Sequence, residues 1–214
     1  MKDTVLCLCD LTGAFAAPWI RAGYRAVFID PQHPEGVYSN HSQRAVGHVI
    51  DHPESWRVIR EEAHRIAFVA AFPPCTDLAV SGARWFSHKA ENDPAFQFRA
   101  MQVVWQCHVI AEMLGAPWFI ENPVSRISTF WRKPDHSFHP WHYAGLEPED
   151  NYTKKTCLWT GGGFSMPDRV TLESNEAPDD RIHKAAPGPE RANLRSATPR
   201  GFARAVFNAN GGRT

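Results

Sequence analysis

Five short apolar runs limit what this chain can fold into: Thr4–Asp10, Arg25–Asp30, Ala45–Ile50, Ile66–Ala71 and Trp118–Glu121. Each has the length of a buried strand and ends in an acid or a turn signal. Helical stretches lie among them. One has Pro18 near its first turn and ends at Gly23. A second starts at Asp51-His52-Pro53-Glu54 and runs through Arg65, with Pro53 suited to a first turn. The longest runs from Pro94 to Leu114 before Gly115, with Phe98, Met101, Trp105, His108 and Val109 spaced for one buried face. Pro31–Asn40 reads as a polar loop. Strands alternating with helices predict an α/β fold, Rossmann-like, with a mostly parallel central sheet and helices on both faces.

Past Asn122 the character changes. Residues 131–190 are rich in Pro, Gly, His and Asp, with one strand-like segment, Thr156–Thr160, ended by Gly161-Gly162-Gly163. A last helix is expected from Pro199 to Asn208. At 214 residues with 43% hydrophobic content the chain has the material for one sizeable domain over residues 1–214, with 131–190 a loop-rich insertion. Its 23 basic and 23 acidic side chains cancel, so it offers no global basic field for a long nucleic acid. The cysteines, Cys7, Cys9, Cys75, Cys107 and Cys157, are odd in number and match no paired zinc spacing. With no signal sequence at the start and no apolar run of membrane length, a reducing, cytoplasmic setting is expected, without membrane or metal. Cys7 and Cys9, two apart in a strand, should face one side of the sheet.

Two strand exits carry reactive side chains. Phe72-Pro73-Pro74-Cys75 delivers a thiol on a loop that two prolines stiffen. Trp118-Phe119-Ile120-Glu121-Asn122 delivers a carboxyl group whose apolar neighbours favour its protonated form. Ligands of open α/β sheets sit beyond the carboxyl ends of the strands. Asp10, Asp30 and Asp51 close the first three runs, and a carboxylate after a second strand typically binds ribose hydroxyls. The turn Asp10-Leu11-Thr12-Gly13-Ala14-Phe15 lets a cofactor approach backbone amides. His136, His139 and His142 form an HxxHxxH series that Pro140 interrupts, so a histidine-bearing loop is the preferred reading over a metal site. Lys154, Lys155, Arg191, Arg195, Arg200 and Arg204 are available to a phosphate or to solvent.

In order, these motifs resemble the cytosine C5-methyltransferases that use S-adenosylmethionine. Asp10-Leu11 with Gly13 is similar to their first motif, and Asp30 and Asp51 match the acids after the next two strands. Pro74-Cys75 followed by Ser81-Gly82 resembles the nucleophile loop, and Glu121-Asn122 the Glu-Asn-Val motif, with Pro123 in place of valine. Lys154-Lys155-Thr156 falls at the Arg-rich strand. Arg195-Ser196-Ala197-Thr198-Pro199 resembles the final segment that returns to the cofactor. Pro140-Trp141 and Lys155-Thr156-Cys157-Leu158-Trp159 are similar to short phage and prophage members, which implies a host-cell cytoplasm. Departures are also present: few glycines over Thr12–Ala17, and Thr76-Asp77 after the cysteine. Only Gly161–Glu190, about 30 residues, stands where DNA-acting members carry a target-recognition domain.

The resemblance implies a fold of the class I methyltransferases and a single catalytic domain. It also implies S-adenosylmethionine as cofactor at Asp10–Phe15, Asp30, Asp51 and Ser196. The substrate would meet Pro74, Thr76, Ser81, Arg84, Asn122, Lys154, Lys155 and Arg195. Cys75 would attack cytosine C6, while a protonated Glu121 holds N3 and the 4-amino group. The substrate is expected to be a free cytidine or deoxycytidine nucleotide, with DNA and tRNA as alternatives. An amino-methyltransferase is a further alternative, because Pro73-Pro74 is similar to its Pro-Pro motif, although Phe72 and Cys75 do not fit around it. A catalytically silent nucleotide- or DNA-binding module is the alternative from another class.

Overall fold

The computed structural model describes residues 2–173, 176–184 and 196–212. Along the chain come β1 (Thr4–Leu8), α1 (Ala17–Arg21), β2 (Arg25–Ile29), β3 (Val37–Ser39), β4 (Gln43–Val46), α2 (Pro53–Glu62) and β5 (Ile66–Ala71). Next are α3 (Phe86–Asn92), α4 (Phe96–Leu114), β6 (Trp118–Pro123), α5 (Ile127–Phe130) and β7 (His136–Phe138). The described chain closes with β8 (Thr156–Gly161), α6 (Arg181–Lys184) and α7 (Arg200–Asn210).

The strands form a mixed eight-stranded sheet in the order β3-β4-β2-β1-β5-β6-β8-β7. Its middle, β4-β2-β1-β5-β6, is parallel throughout. The chain leaves β1 for β2 and β4 on one side, then returns to build β5 and β6 on the other. That reversal falls between β1 and β5, and doubly wound sheets take their ligands beyond the carboxyl ends of the strands at such a point. Antiparallel strands finish both edges: β3 against β4, and β8 against β6 with β7 outside it.

Helices cover both faces, and each face has its own core. On one, Val58 and Ile59 of α2 pack with Met101, Val104, Cys107 and Ile110 of α4. On the other, Phe15, Trp19 of α1 and Phe202 of α7 pack with Phe68 and Phe119. Rings there meet edge to face, as Phe15 and Phe119 do at 5.0 Å and 87°, an arrangement that adds about 0.5–1.5 kcal/mol per pair beyond area burial. His52 caps α2, its Nδ1 accepting from Glu54 N at 3.2 Å, and Gly115 ends α4 in the left-handed region at φ 58°.

Several sequence expectations need correction. The third strand is Gln43–Val46 rather than Ala45–Ile50, and Pro31–Asn40 contains β3. On α4, Phe98 and Val109 face solvent at 57% and 50% exposure. The inward stripe is Phe96, Met101, Val104, Cys107, Ile110 and Ala111. Cys7 and Cys9 do not share a face: Cys7 lies in the Phe15 core and Cys9 packs on the α4 side. Strand β1 ends at Leu8, and Cys9 has φ 57°, so the alternation of a strand stops before it. Finally, residues 131–184 hold β7 beside β8, where one strand was expected.

Candidate active site

Adjacent parallel strands β1, β5 and β6 bring three polar exits side by side. Register pairs Leu8 with Ala71 and Ala71 with Ile120. Asp10, the Phe72–Cys75 turn and Glu121 therefore line one edge of the sheet, with Asp30 one strand further along after β2.

The thiol loop is fixed at several points. Phe72 N donates to Leu8 O at 2.9 Å, and Cys75 O accepts from Leu78 N and Ala79 N at 3.0 and 2.8 Å. Asn122, buried at the end of β6, donates from Nδ2 to Pro73 O at 2.9 Å. Val80 N donates to Val124 O at 2.9 Å and Arg126 N to Leu78 O at 2.8 Å, and Ala79 bridges Ser125. The chain on both sides of Cys75 is thus laced to the exit of β6. Cys75 itself is half-buried, Pro73 buried and Pro74 exposed.

Glu121 pairs with Leu158 across β6 and β8. Its Oε1 is sealed from solvent and has no hydrogen-bond partner among the described residues. Burial pushes its carboxyl above the usual carboxylate range, with the Lys154 ammonium opposing. A protonated carboxyl can donate a hydrogen bond to a ligand. Lys154 is half-buried, its Nζ 3.5 Å from Ala197 O. That contact ties the approach to β8 to the segment entering α7, where Asp150 Oδ2 accepts from Gly201 N at 2.6 Å.

On the β1 side, Asp10 is buried, and its Oδ1 accepts from Thr12 N, Thr12 Oγ1 and Gly13 N at 2.9, 3.1 and 2.8 Å. Its Oδ2 has no partner among the described residues. Burial raises this carboxyl and nearby Asp30 adds to the rise, while the donors of Gly13 and Thr12 oppose it. Gly13, at φ 64°, sits over the Phe28 ring, where a Cβ would come within 3.2 Å. Asp30 is buried and accepts from Gln32 N at 2.8 Å.

Other expected site residues lie at varied distances from this cluster. Leu11 and Ala14 are half-buried and Thr12 is exposed, whereas the Phe15 ring is wholly in the core, leaving only its backbone for a ligand. Asp51 is exposed in the turn before α2, five residues past the end of β4, so it does not close a strand as expected. Thr76, Ser81, Arg84, Lys155 and Ser196 are exposed; Arg84 lies 5.2 Å over the Trp85 ring. Arg200 and Arg204 lie on α7, where Arg204 donates to Leu146 O. Arg191 and Arg195 fall outside the described residues.

Among the described residues no cluster of three His, Cys, Asp or Glu side chains fits a metal ion. His136 begins β7, and His139 and His142 stand on the turn that follows. Burial, with Arg169 and His139 adding to it, pushes His142 down to about 4, so it is a neutral core histidine. Among the described residues no helix is long and apolar enough to cross a membrane.

Sequence reading missed His33, Ser125 and Arg126. His33 Nε2 lies 3.1 Å from Asp10 O, at the mouth of the β1 exit, and no spacing rule singles it out. Ser125 and Arg126 follow Glu121-Asn122 closely, and that proximity was the only available signal. No protein-family model matches this chain, and no curated protein matches it.

Proposed function

We propose that this protein is an S-adenosylmethionine-dependent cytosine C5-methyltransferase acting on a free cytidine or deoxycytidine nucleotide. The observation that carries the reading is the coupling of two strand exits. A half-buried thiol is fastened through Asn122 to the strand that carries Glu121, whose Oε1 is sealed and whose carboxyl is shifted by burial toward the neutral form. The residues on the β1 side fit the cofactor. Asp10 Oδ2 is a buried acceptor without a partner, suited to an ammonium group, and Asp30 is a buried carboxylate one strand on, suited to ribose hydroxyls.

Cytosine C5 is a weak nucleophile until its ring loses aromaticity. Cys75 Sγ forms a bond to C6, and the electrons move through the ring toward N3. Glu121 gives N3 a hydrogen bond or proton and accepts from the 4-amino group, stabilising the adduct. S-adenosylmethionine supplies the electrophilic methyl group that C5 takes up. Loss of the C5 proton then restores the double bond and expels Cys75. Asn122 is a positioning residue, holding Pro73 and hence the direction of the thiol.

Two facts favour a free nucleotide. The formal net charge is zero, where duplex binders carry a basic face. Lys89, on helix α3 after Cys75, is paired with Asp77 at 2.5 Å. One observation favours a polynucleotide instead: Trp85 is 54% exposed beneath Arg84, and such a pair can stack on a flanking base. Labelled S-adenosylmethionine offered with deoxycytidine 5′-monophosphate, single-stranded DNA and duplex DNA separates the readings. Transfer to the mononucleotide is expected. Transfer to DNA alone, falling steeply with salt, would move the substrate to the polymer, and transfer to none would remove the enzyme.

A further inference from the structure

Four buried polar atoms without partners among the described residues lie within six consecutive residues at the exit of β6: Glu121 Oε1, Asn122 Oδ1, Ser125 Oγ and Arg126 Nε. Native proteins satisfy roughly nine in ten buried polar groups, so such a concentration marks a place where a ligand completes the bonding. The first two belong to the base pocket proposed above. Ser125 and Arg126 have no role in it.

Ser125 is 4% exposed. Its backbone bridges Ala79, and Arg126 N donates to Leu78 O, so both residues abut the turn that presents Cys75. The Arg126 guanidinium is backed by the Phe130 ring, 5.1 Å from its centroid, which restricts the side chain's freedom. It has no carboxylate partner among the described residues. Nearby Arg132, by contrast, is held by Asp135 at 2.6 Å. A hydroxyl and a ring-backed guanidinium, unpaired among the described residues and beside the turn that presents Cys75, are complementary to an anion with several acceptor oxygens.

We infer that Ser125 and Arg126 form a phosphate subsite, and that the substrate is a cytosine nucleoside bearing a phosphate ester rather than the bare nucleoside. The inference rests on the cytosine-methyltransferase reading for the identity of the base. The phosphate is that of a mononucleotide or of a polynucleotide backbone. Ser125 Oγ–H and the Arg126 guanidinium donate to its oxygens, while the base reaches Cys75 and Glu121.

Titration calorimetry on the full chain tests this without turnover. The ligands are deoxycytidine 5′-monophosphate, deoxycytidine and a single-stranded oligonucleotide with one cytosine. Arg126→Gln should weaken binding of the monophosphate about tenfold to a hundredfold, as for loss of a charged hydrogen bond, and leave deoxycytidine unchanged. Arg126→Lys should recover part of the loss, and Ser125→Ala should show a smaller loss in the same direction. A loss confined to the oligonucleotide also supports the subsite and assigns the phosphate to a polymer. Equal weakening of monophosphate and nucleoside, or no weakening of any phosphorylated ligand, overturns it. Methyl transfer measured separately judges the parent reading. Arg126-dependent binding without transfer would sink the enzyme and keep the subsite.

Discussion

Two buried carboxyl groups, Asp10 and Glu121, stand at the ends of strands two places apart in one sheet, and they are held in opposite ways. Asp10 has three donors on Oδ1 and an unpartnered Oδ2. Glu121 Oε1 has no donor among the described residues, and the charge of Lys154 opposes the rise of its carboxyl. Burial raises both, but the backbone donors on Asp10 oppose its rise, and they fix its orientation as an acceptor. For Glu121, whose Oε1 has no donor among the described residues, burial favours the neutral form over the charged one. Local hydrogen bonding thus gives two similar side chains different surroundings, which suits the proposed roles of a docking acceptor for Asp10 and a proton donor for Glu121.

The comparison can be broken at several points. The largest effect is expected beside Glu121: Cys75→Ser should reduce methyl transfer below detection, with the circular dichroism spectrum and cofactor binding unchanged. Near-normal turnover would remove the thiol from the mechanism. Glu121→Gln should lower kcat about a hundredfold or more without altering cofactor affinity. An equal loss of cofactor binding would mean that the two carboxyl sites are not separate.

On the other side, Asp10→Asn or Asp30→Ala should weaken S-adenosylmethionine binding in calorimetry by about tenfold and leave nucleotide binding intact. Asn122→Ala should cost about 1–2 kcal/mol in denaturant stability and lower kcat with it, since the Pro73 carbonyl loses its donor. A kcat unaffected by this change would show that the thiol needs no tether.

The smallest effect is one of pH. Because the folded-state value of Glu121 is raised, the acid contributes no penalty below the ordinary glutamate value of about 4.3. As pH rises through the raised value, the wild type loses stability that Glu121→Gln keeps. Melting temperatures should therefore coincide near pH 4 and separate in favour of the variant at higher pH. A wild type favoured at high pH would mean the carboxylate is the preferred form.

The parts legible from sequence were those set by local chemistry. The run Ile66–Ala71 is a strand with the expected ends, Gly115 caps α4, and the Phe72–Cys75 and Glu121 exits lie side by side. Less legible were features that exist only through pairing. Strands β3 and β7 have three residues each, too few for a pattern, and form because β4 and β8 offer free edges. Cys9 looked like a strand residue, yet its left-handed conformation is set by the turn that Asp10 organises. Of the face expected for α4, Met101 is buried and Trp105 packs against the core, while Phe98 and Val109 are exposed, because which side of a helix meets the sheet is settled by tertiary packing. Ser125 and Arg126 carry no motif, and their significance arises from burial without partners.

The central claim, that Cys75 and Glu121 act on one cytosine ring, is tested most directly by trapping. A 5-fluorocytosine nucleotide has no C5 proton to lose after methylation, so the covalent adduct should persist. Intact mass of the protein after incubation with that nucleotide and S-adenosylmethionine should rise by one methylated nucleotide, with the mass on the Cys75 peptide. Glu121→Gln should form the adduct far more slowly. An unmodified protein, or an adduct mapped to Cys9, Cys107 or Cys157, would contradict the account.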